Sequence, residues 1–176
     1  MVSKEQGKSI MREVVDRYRS AERNPQLINE RKLSEQDITT KFVLPFLEAL
    51  NWDRYKISDD GEPEVHEKAF REKSDVGKGL PDIRLRSENG TVFVEVKRPG
   101  ELKKGMVNLE RYVDVDVIVL TTFKELKVYT RFRTERPRPR QTFNYHQYIP
   151  EFTQLWNLLS NSKKGKDTRA AFKATR

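Results

Sequence analysis

Three charged residues around one predicted hairpin have the types and spacing that could do chemistry. Asp82 precedes one alternating apolar run, and Glu95 and Lys97 end the next. The Asn89–Gly90 pair between the two runs is typical of a tight β-turn. Because side chains alternate along a strand, the three charged groups share one face, opposite the apolar residues.

The register of this hairpin decides which charged groups meet. With Asn89–Gly90 as a two-residue loop, Asp82 lies opposite Lys97 and diagonal to Glu95. With a four-residue loop, Asp82 lies opposite Glu95 itself. Either register brings the three groups within roughly 5–8 Å of one another. Two carboxylates at that separation repel each other unless a cation joins them, and a divalent metal with oxygen ligands would do so.

Such a cluster supports phosphodiester hydrolysis. Asp82 and Glu95, helped by the backbone carbonyl of Val96, can hold Mg²⁺, or Mn²⁺ in its place, and leave positions for waters and a phosphate. The metal lowers the pKa of a bound water, and Lys97 can orient that water or offset transition-state charge. The alternative is a charged hairpin face with an ordinary salt bridge, which stabilises a fold only slightly.

Composition narrows the class of protein. A chain of 176 residues is long enough for one domain with a real core. The absence of cysteine excludes disulfides and thiolate metal sites. No apolar run approaches the roughly 18 residues of a membrane span, and no secretory signal precedes the first helix. We therefore expect a soluble cytoplasmic protein without a membrane segment.

The positive charge is concentrated near the end of the sequence. Residues 1–130 carry 24 basic and 24 acidic side chains, whereas residues 131–176 carry 11 basic and 3 acidic ones, which accounts for the net +8. A basic patch beside a carboxylate site suggests a polyanionic partner, most simply DNA, although a solvated basic tail is the alternative. The predicted phosphate contacts are Arg71, Lys73, Lys78, Arg98, Arg131, Arg133, Arg136 and Arg138.

Local patterns predict the elements that position the cluster. Ser3 and Ser34 are predicted helix caps, and Pro45 predicts a break near 40–41 in the second helix. The first helix is expected to end near Ser20, and Asn51 is expected to end the second in a left-handed conformation.

The remaining predictions are a strand over 65–70, a helix over 102–113, strands over 115–120 and 126–131, a helix over 150–160 and a flexible basic tail over 161–176. This order predicts a single domain over 1–160, with a mixed β-sheet flanked by helices on both faces.

Several of these segments also resemble a known nuclease family. Pro81-Asp82, a twelve-residue gap and then Glu95-Val96-Lys97 resembles the signature of the PD-(D/E)xK superfamily. Residues 34–39 and 44–53 are similar to the first helix of the N-terminal nuclease domain of type I restriction enzyme R subunits, whose extra acidic residue maps onto Glu35. Residues 108–112 are similar to that family's Gln-x-x-x-Tyr element, with Asn108 in place of the Gln and Tyr112 matching. Residues 119–129 are similar to its closing strand pair.

The resemblance implies a fold, an activity and partners. It implies an α/β restriction-endonuclease-like core over about 34–131 and a Mg²⁺-dependent DNA endonuclease of restriction or defence type. Glu35 would support a ligand water or a second metal, and Asn108 and Tyr112 would accompany the active site. DNA is the implied partner, with a second copy or the motor and specificity subunits of a restriction complex as further candidates. No Gly-x-x-x-x-Gly-Lys-Ser/Thr loop is present, so we expect no motor activity in this chain itself.

Two other functions compete with this hypothesis. One is a structure-selective nuclease that acts on repair intermediates or junctions, because the same motif serves such enzymes. The other is a DNA-binding module without catalysis that uses only the basic C-terminal third. An intact Asp/Glu/Lys set favours an enzyme over this last alternative.

Overall fold

The structure is a computed structural model that describes residues 1–24, 33–57, 61–67, 81–88, 90–109, 112, 115, 117–130 and 139–174. It has a mixed α/β fold in which helices flank a six-stranded sheet. The helices are α1 (Lys4–Arg23), α2 (Glu35–Ile38), α3 (Leu44–Ala49), α4 (Leu102–Leu109), α5 (Phe152–Leu159) and α6 (Lys163–Ala174). The strands are β1 (Val65–Glu67), β2 (Ile83–Ser87), β3 (Gly90–Val96), β4 (Val117–Thr121), β5 (Glu125–Thr130) and β6 (Gln141–Asn144).

The six strands lie side by side in chain order. Strands β3 and β4 are parallel, and the other four neighbouring pairs are antiparallel. A parallel pair needs a crossover connection, and α4 lies within the segment that joins β3 to β4. The carboxyl ends of β3 and β4 therefore meet at the same edge of the sheet.

The hairpin between β2 and β3 adopts one of the two predicted registers. Ile83 pairs with Val94, which places Asp82 opposite Glu95, as the four-residue loop predicted. The pairing continues to Ser87 and Gly90, so only residues 88 and 89 connect the paired strands and the predicted loop length of four is wrong. Gly90, with a φ of 106°, therefore belongs to the strand, and its predicted place in the turn is wrong.

The apolar side chains of the hairpin face a large core, as their alternation predicted. This core contains side chains from all six strands, from helices α1, α2, α3 and α5 and from the segment between α2 and α3. Representative members are Met11, Phe42, Leu47, Val94 and Leu155. The opposite face carries a smaller apolar cluster that joins α4 to Ile118, Leu120 and Tyr129.

The second helix is interrupted where Pro45 predicted a break. Between α2 and α3 the chain forms a π-helical turn over Thr39–Val43. Pro45 has no N–H for the carbonyl of Lys41, four residues earlier. That carbonyl instead accepts a hydrogen bond from Arg17 Nη1 of α1, at 3.4 Å. The helix ends before Asn51, which has the predicted left-handed φ of 66°.

Two elements near the end of the chain differ from the prediction. Strand β6 was not predicted, because it is a four-residue edge strand in which only Phe143 is buried. Residues 163–174 form α6 where a flexible tail was expected. The overlooked signal is Ser162, whose hydroxyl accepts a hydrogen bond from the Gly165 N–H at 3.2 Å and so caps the helix.

Other boundaries shift by a few residues. Helix α1 extends past the predicted end to Arg23, and α5 begins at Phe152, two residues after Pro150. Helix α4 is described only as far as Leu109. Within the ranges that the structure covers, no helix combines the length and the apolar character needed to cross a bilayer.

Candidate active site

Four charged side chains from three segments converge where β3 ends. Asp82 and Glu95 face each other across the hairpin. Lys97 directly follows β3, and its backbone N–H donates to the Thr121 carbonyl of β4 at 2.9 Å. Glu35 is the first residue of α2. The hairpin contacts were predicted from strand alternation, whereas the approach of Glu35 depends on how α2 packs.

The ammonium of Lys97 lies at the centre of this cluster. Its Nζ is 3.0 Å from Glu95 Oε1, 3.3 Å from Glu35 Oε2 and 3.6 Å from Asp82 Oδ2. It also donates a hydrogen bond to the Val96 carbonyl at 2.7 Å. One cation is thus surrounded by oxygens from four residues. With all groups ionised, three carboxylates and one ammonium leave a formal charge of −2, which favours a further cation.

The cluster is more exposed on one side than on the other. Side-chain exposure is 41% for Glu35 and 21% for Asp82, but 11% for Lys97 and 2% for Glu95. A ligand would therefore approach past Glu35 and Asp82. Glu95 forms the closed end of the site.

Lys97 is held in its charged form. Burial acts to lower its pKa, but attraction to Asp82 and Glu95, together with the hydrogen bond to Glu95 and the field of Glu35, outweighs burial and raises the pKa above its usual value. A lysine with a raised pKa is not a general base at neutral pH. It can instead donate hydrogen bonds and offset negative charge.

Each of the two hairpin carboxylates has a fixed orientation. Asp82 Oδ2 accepts a hydrogen bond from the Val96 N–H at 2.8 Å. Glu95 Oε2 accepts a hydrogen bond from the Tyr112 hydroxyl, while Oε1 faces Lys97. The Tyr112 ring packs edge-on against Phe93, with 5.4 Å between centroids. Tyr112, which was predicted from its resemblance to a family motif, thus positions one carboxylate of the cluster.

Gly105 is a site residue that the sequence analysis missed. A Cβ at this position would overlap the Leu120 side chain and come within 3.1 Å of Lys97 Cγ. The missing side chain lets α4 lie directly on the aliphatic stem of Lys97. A signal existed, because glycine inside a helix costs roughly 1 kcal/mol relative to alanine and often marks a close approach.

The remaining predicted residues are placed only in part. Asn108 belongs to α4 by its backbone, and its side chain lies outside the described structure. Arg98 is exposed and forms a two-pronged ion pair with Glu101, at 3.0 and 3.1 Å. The other predicted phosphate contacts lie outside the described residues; they are Arg71, Lys73, Lys78, Arg131, Arg133, Arg136 and Arg138.

The donor atoms of the cluster suit a hard divalent cation. No group of three or more His, Asp or Glu side chains in the described part of the chain is arranged to hold a metal ion. The predicted ligand set needs only two carboxylates and the Val96 carbonyl, and these oxygens already surround the Lys97 ammonium. Oxygen ligands of this kind fit Mg²⁺ or Mn²⁺. Metal binding would require Nζ to move from its central position.

No protein-family model, curated protein or solved structure matches the chain. The motif resemblance therefore remains a prediction that depends on the residues themselves and on their geometry.

Proposed function

We propose that this chain is a metal-dependent endodeoxyribonuclease of the PD-(D/E)xK type with a restriction-endonuclease-like core. One observation carries the proposal: the carboxylates of Glu35, Asp82 and Glu95 surround the Lys97 ammonium. A salt bridge on a charged strand face needs one carboxylate, whereas three around one lysine leave excess negative charge. Such excess is expected at a site for a divalent cation and a phosphate.

The proposed roles follow from the positions of the side chains. Asp82, Glu95 and the Val96 carbonyl would hold Mg²⁺ or Mn²⁺. When bound, the ion would supply a water of lowered pKa and offset charge on the phosphate oxygens. Lys97 would donate hydrogen bonds to the attacking water or to a phosphate oxygen. Tyr112 holds Glu95 in place, and Glu35 lies on the exposed side, where it can orient Lys97 or a water.

DNA is the proposed substrate because of the net charge of +8 in the sequence and the motif resemblance. A restriction or defence role, and partners such as a second copy or motor and specificity subunits, are inferred from the resemblance alone. A junction or repair nuclease would use the same four residues. The choice between these substrates therefore depends on surfaces outside the cluster.

The test is a cleavage assay on supercoiled plasmid, linear duplex and branched oligonucleotides. We expect cutting with Mg²⁺ or Mn²⁺ and none in EDTA. Asp82→Asn and Lys97→Met should each reduce the rate at least about a hundredfold, because each removes a group that acts on the transition state. A preference for branched DNA would identify the structure-selective alternative.

A matched variant controls for the change in charge. Asp16 lies on α1 with a side-chain exposure of 59%, so Asp16→Asn makes the same chemical change away from the cluster and should cut like the wild type. If Asp82→Asn and Lys97→Met also cut like the wild type, the proposed site is wrong.

A further inference from the structure

A groove of about 460 Å³ lies beside the candidate active site. It runs between the first turns of α4 and the part of the sheet that α4 leaves uncovered. Its walls include Leu102, Lys103 and Met106 from the helix, Glu125 and Lys127 from β5, and Thr122 from the turn between β4 and β5. None of these residues was selected by the sequence analysis.

The groove and the charged cluster share one edge of the sheet. Val96 pairs with Thr121 on the parallel neighbour β4, and the backbone N–H of Lys97 also donates to Thr121. Thr122, which directly follows β4, lines the groove. On the helix side, Gly105 contacts the stem of Lys97, and its neighbour Met106 lines the groove. A chain that leaves the cluster along this edge therefore enters the groove directly.

The lining carries more positive than negative charge. Three lysines, Lys103, Lys124 and Lys127, line the groove with one carboxylate, Glu125. Lys127 pairs with Glu125 at 3.0 Å, and Lys124 pairs with Glu22 at 2.8 Å. Lys103 is exposed, and none of the ion pairs in the described part of the chain involves it.

The groove also offers apolar and neutral polar surface. Pro99, Leu102 and Met106 supply apolar contacts, and Thr122 and Asn144 supply hydrogen-bonding groups. A sugar–phosphate strand needs this mixture, because its phosphates pair with cations while its sugars and bases contact apolar side chains. A small anion would use only the cationic part.

We propose that the groove binds the DNA strand on one side of the bond that is cut, with Lys103 and Lys127 contacting its phosphates. This inference rests on the proposed nuclease function for the identity of the ligand. It goes further in placing the path of the strand between α4 and β5, on residues that the sequence analysis did not select as phosphate contacts.

The test measures binding rather than cutting. Fluorescence anisotropy with labelled single-stranded and duplex DNA is performed in EDTA over a range of salt concentrations. The double variant Lys103→Gln/Lys127→Gln should bind roughly tenfold more weakly at moderate salt, and its slope of log affinity against log salt should fall by about one for each lost phosphate contact. Lys103→Gln alone should lower the slope by about one, and it leaves every described ion pair intact.

A control variant removes the same charge at the opposite edge of the sheet. Lys4 and Lys8 lie in the first turns of α1, where the Val2 N–H donates to Asn51 Oδ1 at 2.7 Å. Asn51 in turn donates to the Asn161 carbonyl at 2.7 Å. The Asn161 side chain accepts from the hydroxyl of Ser87, at the end of β2 remote from Asp82. Lys4→Gln/Lys8→Gln should therefore bind DNA like the wild type.

The outcomes separate this inference from the nuclease proposal. Equal affinities and salt slopes for the wild type and both groove variants would overturn the proposal that the groove binds DNA. An equal loss in groove and control variants would also overturn it, because net charge alone would then explain binding. If the groove variants weaken DNA binding but the wild-type protein never cuts DNA, the groove proposal holds and the nuclease proposal is wrong.

Discussion

The two faces of the sheet differ in what covers them. One face packs against α1, α3, α5 and the π-helical turn in a core that runs through the whole domain. The other is covered by the short helix α4 and a small apolar cluster. The charged cluster lies on this second face, where Glu95 contacts Tyr112 and Lys97 contacts Gly105. We infer that the large core supplies most of the stability. The smaller cluster leaves part of the sheet uncovered, and the charged side chains lie there.

Each face of the sheet has one helical glycine at a point of close packing. Gly7 in α1 and Gly105 in α4 are both helical, and both lie where a Cβ would overlap a neighbour. A Cβ at Gly7 would overlap the Ala49 carbonyl oxygen and lie 2.9 Å from Trp156 Cζ3, within the large core. Gly105 faces Leu120 and the stem of Lys97. The same steric device thus serves packing on one face and the site on the other.

The largest expected effect is the loss of a core aromatic side chain. Phe42 is 2% exposed and contacts the rings of Tyr18 and Phe123, at 5.1 and 5.3 Å. Phe42→Ala should lower the free energy of unfolding by about 3–5 kcal/mol, because it leaves a cavity. Urea denaturation followed by circular dichroism measures this loss. If Asp82→Asn lowered the free energy of unfolding as much as Phe42→Ala, stability would not come mainly from the large core.

Removing one hydroxyl tests the opposite face. Tyr112→Phe keeps the ring against Phe93 and deletes the hydrogen bond to Glu95. A hydrogen bond to a charged group contributes about 1.5–3 kcal/mol, so we expect a cleavage rate roughly tenfold to a hundredfold lower. Cleavage kinetics at saturating Mg²⁺ measure the change. Phe93→Leu, which alters the ring contact and keeps the hydroxyl, should have a smaller effect on the rate.

Substitutions at Gly7 and Gly105 should have the next largest effects on stability and cleavage. Gly7→Ala should destabilise the protein by roughly 1–3 kcal/mol, because a backbone carbonyl cannot easily move aside. Its cleavage rate should stay near that of the wild type below the unfolding temperature. Gly105→Ala should cost less stability, because the end of the Leu120 side chain can yield. It should nevertheless lower cleavage about tenfold by displacing Lys97.

A second substitution tests the cause of the Gly105 effect. Leu120→Ala removes the atom that the new Cβ would overlap. The double variant Gly105→Ala/Leu120→Ala should therefore cut faster than Gly105→Ala alone. If the two substitutions instead add their losses, steric displacement is not the cause.

The smallest expected effect concerns the helix cap that presents Glu35. Hydrogen bonds from Ser34 and the nearby Lys41 ammonium lower the pKa of Asp37 from 3.8 to about 2. Its stabilising contribution is therefore complete above 3.8 and is lost as the pH falls through about 2. Asp37→Asn should lower the melting temperature slightly at neutral pH, and the difference from wild type should shrink through this interval. A difference that does not change with pH would contradict the assignment.

Local signals in the sequence determined much of the fold. The Ser3 and Ser34 capping boxes form as predicted, because each joins groups only three residues apart. Pro45 broke the second helix, since its missing N–H acts within one turn. Strand alternation placed Asp82 opposite the apolar core. The sequence could not decide the register, because both loop lengths preserve that alternation.

Only the tertiary structure decided how the site is completed. Glu35, which only the family resemblance had assigned to the site, accepts a hydrogen bond from Lys97 across 62 residues of sequence. This contact depends on the packing of α2 at the end of the sheet. The approach of Gly105 to Lys97 and the groove beside β5 likewise depend on where α4 lies. Edge strand β6 forms because β5 offers it unpaired backbone groups rather than because of its own pattern. Contacts of this kind arise from the packing of distant segments, and no local pattern in the sequence specifies them.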